Sequence, residues 1–83
     1  MSLRDVFLGV VRSKLYTMLK SSYMRDWTAE LVYSLIDEAM NEKSYDIQVY
    51  LQEHVVTLEN MNNAAQWVAQ NIILPSITQR RVQ

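Results

Sequence analysis

Cysteine does not occur in this chain, so neither a disulfide nor a thiolate metal site can form from it. Histidine occurs once, at His54, which leaves a histidine-based zinc site short of ligands. Glycine and proline also occur once each, as Gly9 and Pro75, against averages of about 7 % and about 5 %. One glycine excludes a glycine-rich phosphate loop. It also leaves turns that need positive φ almost nothing to use, which favours long helices joined by short polar loops over a many-stranded β fold. Long apolar runs are missing too. The best, Val6 to Val11, stops at Arg12, far short of the roughly 18–20 residues of a membrane span. Asp5 stands where the basic region of a secretory signal belongs, and Arg12 and Lys14 interrupt the apolar stretch. The lack of cysteine fits a reducing, intracellular compartment, with the cytoplasm as the expected location.

What is present is apolar. Hydrophobic residues make up 49 % of the 83 and charged residues 20 %. A chain of this length buries only roughly 60 % of its unfolded surface, so some apolar surface is expected to face a second subunit. Net charge is −1 but unevenly placed. Residues 1–25 hold Arg4, Arg12, Lys14, Lys20 and Arg25 against Asp5, residues 26–60 hold eight acids against Lys43, and Arg80 and Arg81 lie near the end. Oppositely charged helices packed side by side account for this. A basic face for an acidic partner is the sharper reading.

Periodicity predicts the elements. Ser2 and Asp5 resemble a capping box that opens a helix at Leu3. Leu3, Phe7, Val10, Val11, Leu15, Met18 and Leu19 share its apolar side, and Asp5, Gly9, Arg12, Ser13, Tyr16 and Lys20 the other. Lys14 projects from the apolar side, its stem on the core and its ammonium in water. Ser21 to Asp26 reads as a loop, with Asp26 capping a second helix over 27–42. There Leu31, Val32, Leu35, Ile36, Ala39 and Met40 form one face.

Segment 45–59 admits two readings. As a helix, it sets Ile47, Leu51, His54, Val55 and Leu58 on one face and Tyr45, Val49 and Val56 on a second stripe. As a hairpin, Ile47, Val49 and Leu51 alternate inward and Val55 to Leu58 returns. The connection at Gln52-Glu53-His54 offers no Gly, Asn or Asp, so the helix is favoured. After Asn60 to Asn63, the residues Ala64, Ala65, Val68, Ala69, Ile72 and Ile73 repeat at helical spacing. Pro75 is expected to end that helix by pushing Leu74 out of the α region. The reading is one domain over 1–75 and a polar, basic tail over 76–83.

Asp46-Ile47-Gln48-Val49, followed by Val55-Val56-Thr57-Leu58 and flanked by helices, resembles a BON domain, an α/β module linked to membrane-associated proteins. That resemblance implies a hairpin at 46–59. His54 and Asn60 replace the glycines that family uses in its turns, so no function carries over.

No residue pattern supports catalysis, a metal or a cofactor. His54 lies on an apolar face with no nucleophile at a defined spacing and reads as a core or interface residue. Glu38 and Glu42, one turn apart, read as a solvated acidic face. The expected fold is all-α, a bundle of three to four antiparallel helices. The expected function is that of a non-catalytic interaction or adaptor protein, with another protein or a second copy as partner. Phe7, Leu15, Tyr45, Val49 and Val56 are the expected interface. The alternative is an accessory nucleic-acid-binding protein using Arg12, Lys14, Arg80 and Arg81, although a pI near 5.7 is low for one.

Overall fold

Ser2 starts the first helix as its spacing predicts: it is extended, and its Oγ accepts the Asp5 backbone N–H at 3.1 Å. The computed structural model describes residues 2–82, with side chains through Gln79. Helix α1 spans Leu3–Met18 and buries Phe7, Val11 and Leu15, a four-residue repeat that keeps one stripe against the core. The helix does not stop at Ser21. It widens into a π turn, Leu19–Tyr23, whose exit is the Met24 N–H donating to the Leu19 carbonyl at 2.7 Å. The expected loop is therefore helical. The added residue brings both Leu19 and Met24 into the core. Side chains also bond carbonyls of this stretch: Arg25 Nε donates to the Ser21 carbonyl at 3.3 Å, and the Ser21 hydroxyl to the Met18 carbonyl at 3.2 Å.

Helix α2 spans Ala29–Glu42 and is capped by Thr28 rather than Asp26, with Thr28 Oγ1 accepting from the Leu31 N–H at 3.3 Å. It buries Val32, Ile36 and Ala39. Only Lys43 separates it from helix α3, Ser44–Glu53. The hairpin and the BON-like pairing do not form, and no strand occurs among the described residues. A two-residue hairpin turn needs positive φ, and no described residue has it. The helix also ends six residues earlier than 59. His54 leaves the helical region at φ −128° and ψ 134°, and residues 54–60 form a connection.

Helix α4 spans Met61–Val68, passes through a second π turn at Ala69–Ile73 and continues as α5, Leu74–Val82. Pro75 does not end it. Leu74 stays helical at φ −57° and ψ −44°, and its N–H donates five residues back to Ala69. The wider turn ahead of Pro75 moves aside the carbonyls its ring would strike. Residues 76–82, read from sequence as a tail, are thus a helix, and Ile77 is buried in the core.

The result is an all-α bundle. Helix α1 lies at its centre, against α4, the second π turn and α2. All buried side chains among the described residues are apolar, and no buried side-chain polar atom lacks a partner. No helix of the described residues is long and apolar enough to cross a membrane.

Candidate functional site

Tyr50, near the end of α3, is the centre of an aromatic group beside an open cleft. Its ring stacks on His54 at 4.1 Å, on Trp67 of α4 at 5.3 Å and on Phe7 of α1 at 6.4 Å between centroids. The Tyr50 carbonyl accepts two bonds from His54, one from its backbone N–H at 2.9 Å and one at 3.0 Å from Nδ1. A carbonyl only accepts, so Nδ1 carries the proton. His54 is exposed and pinned by its own helix end, not buried in a face.

Asn60 holds the connection after His54. Its Oδ1 accepts the Thr57 N–H at 2.7 Å, its Nδ2 donates to the Val55 carbonyl at 2.8 Å, and its own N–H donates to Thr57 Oγ1 at 3.3 Å. The first and last of these are reciprocal side-chain-to-backbone bonds of the Asx and ST kind. They set the loop so that Val55 is 83 % exposed and Leu58 78 %. Trp67, 49 % exposed, lines the cleft with Val55. The cleft is open, about 630 Å³, and is also lined by Glu53, Val56, Asn63 and Ala64. A smaller groove of about 210 Å³ lies between Leu3, Arg4, Phe7, Leu51 and Val56. Val56 borders both, so the two grooves adjoin there as one strip of mixed polar and apolar lining. Glu53 stands in the larger part and Arg4 in the smaller.

The residues expected at an interface separate. Phe7 and Leu15 have no exposed surface and belong to the core, because the stripe they occupy is the one that meets α4 and α2. Tyr45 is 72 % exposed but lines neither groove. Val49 is half-buried and also outside both. Val56 lines both grooves, half-buried against the core, and fully buried Phe7 lies under the smaller one. Of the basic set, Arg12 is held by Asp37, with Nε to Oδ1 at 2.7 Å and Nη2 to Oδ2 at 3.1 Å. It also covers the Tyr33 ring at 4.1 Å. The hydrogen bond to Asp37 holds its pKa above the ordinary arginine value. Lys14 is half-buried, as a stem lying on the core requires. The side chains of Arg80 and Arg81 lie outside the described residues.

Sequence reasoning does not single out Val55 and Leu58 as surface residues, because the helical reading of 45–59 runs through them and sets them on one face with Ile47 and Leu51. The signal against that was Thr57-x-x-Asn60, a pair able to bond its own backbone. Trp67 falls off the stripe of Ala64, Ala65, Val68 and Ala69, and a tryptophan on the polar side of a helix marks exposed apolar surface. No protein-family profile, curated protein or solved structure matches the chain.

Proposed function

We propose that this protein is a small, non-catalytic interaction protein that docks another polypeptide through the face made by residues 54–60 and α4. The observation that carries the reading is the set of exposed apolar side chains here: Val55 and Leu58 on the loop that Asn60 fastens, and Trp67 of α4, which lines the cleft with Val55. An ordered apolar loop enters a contact with little left to order, which lowers the entropic cost of binding. A tryptophan at the centre of such a contact is a frequent energetic anchor. The alternative of nucleic-acid binding has less support, because Arg12 is occupied by Asp37 and the strip contains Glu53.

Selection of a displayed random-peptide library on the immobilised full chain tests this. Peptides that bind the wild type and fail on the V55D/L58D variant are expected. Both positions are exposed, so the variant should keep its stability within about 0.5 kcal/mol by urea unfolding. Recovery only of peptides that bind both proteins equally rejects the reading.

A further inference from the structure

We infer that the polypeptide received by this face presents an arginine side chain to the cleft, its guanidinium lying on the indole of Trp67 and paired with the Glu53 carboxylate. The inference rests on the docking reading above and names the chemistry of the partner. It starts from the rings. The Tyr50 ring is inclined by only 18° to that of His54 and by 19° to that of Trp67. Trp67 is stacked on this neighbour and is still 49 % exposed. A half-exposed indole lining a cleft offers a flat, electron-rich face, and a planar cation is the group such a face attracts most.

Charge selects the same occupant. Among the described lining residues of the cleft, Glu53 is the one carboxylate, and there is no lysine or arginine. Glu53 forms no ion pair with a described residue, whereas Asp37 is held by Arg12 and Asp46 by Lys43. Glu59, on the connection that carries Val55 and Leu58, adds to the negative charge. Arg4 lies elsewhere, in the small groove and in a further one with Gln48 and Gln52. An acidic peptide would set its carboxylate against Glu53. A wholly apolar one would strip water from Glu53 and return nothing in its place. Of the two basic side chains, arginine fits better. A guanidinium can stack flat on an indole while its edge N–H groups donate to a carboxylate, whereas an ammonium is compact, strongly hydrated and has no plane to stack. Val55 and Leu58 then remain for apolar residues beside the arginine.

The peptides that the displayed library yields on the full chain are the probes. Those that depend on Val55 and Leu58 are expected to share an arginine, and each is resynthesised with citrulline or lysine in its place. Citrulline keeps the planar shape and removes the charge. In calorimetric titration of the full chain, citrulline should weaken binding about tenfold or more, and lysine about threefold or more. Glu53→Gln should weaken the arginine peptide about tenfold and change the citrulline peptide by less than about twofold. Trp67→Leu should weaken the arginine peptide about fivefold. Circular dichroism and urea unfolding should show both variants folded; if Trp67→Leu is not, Glu53→Gln at its exposed position decides the outcome. The inference is overturned by peptides that depend on Val55 and Leu58 yet share no arginine, by citrulline or lysine binding as tightly as arginine, or by an affinity indifferent to Glu53→Gln. In each of those cases the docking reading stands and the arginine is wrong. If no peptide distinguishes the wild type from V55D/L58D, both fall.

Discussion

Tyr33 of α2 lies between two residues of α1: Tyr16 stacks on its ring at 4.4 Å and Arg12 covers it at 4.1 Å. Arg12 then reaches Asp37 with two bonds, so four side chains tie α1 to α2 at the surface. Periodicity put Tyr16 and Arg12 on the polar side of their helix. It could not show that the same side meets a neighbour, because helical phase carries no information about which helix lies alongside. The Arg12 and Asp37 side chains are 44 % and 54 % exposed, so the pair is a solvated one despite its geometry. A double-mutant cycle of Arg12→Ala with Asp37→Asn, measured by urea unfolding, should give a coupling of about 0.5–1 kcal/mol that shrinks as salt is added. The raised arginine pKa makes its stabilising effect complete below the ordinary arginine value and lost only as pH rises through the folded one. The coupling should therefore hold constant from about pH 7 to 10, where an ordinary carboxylate is also ionised. A marked fall within that range would show that the pair does not form.

Each of the two long helical segments contains a π turn followed by a buried side chain, Met24 after the first and Ile77 after the second. A serine pair and a proline were the local marks that made these places read as helix ends. The core outweighs both marks, because burying an Ile or Met contributes about 1.5–3 kcal/mol. Ile77→Ala should cost about 2–4 kcal/mol, while Gln79→Ala in the same helix and exposed should change stability by less than about 0.5 kcal/mol. Equal, small effects at the two positions would show that α5 is not docked. Gly9 gives the opposite test in α1. It is exposed, has no positive φ, and a Cβ there meets nothing within 4 Å. Gly9→Ala should raise stability by about 0.5–1 kcal/mol, read as a rise in Tm of a few degrees, about 3–6 °C.

For the molecule as a whole, the core is drawn from every helix, and the segment after Pro75 is part of it. A chain of this size is expected to have about 4–12 kcal/mol of total stability. Removing residues 76–83 takes away Ile77 and uncovers the faces it meets. That truncated chain should lose the near-ultraviolet circular dichroism of Trp27 and Trp67 even where helical signal remains. Retention of a native-like near-ultraviolet spectrum would return the segment to the status of a tail. Fold class was legible from composition and spacing, since one glycine cannot supply hairpin turns and apolar residues recur at helical intervals. The stripes of α1 and α2 were legible for the same reason, down to Val11, Val32 and Ile36. The exposed apolar set at Val55, Leu58 and Trp67 was not. Spacing shows which residues share a side of a helix, but whether that side is covered depends on which segments pack against it. Phe7 and Leu15 went under α4 and α2, while Val55 and Leu58 were left outside once α3 ended at Glu53 and Asn60 fastened the loop. Local pattern is a property of neighbours in the chain, and exposure is a property of neighbours in space.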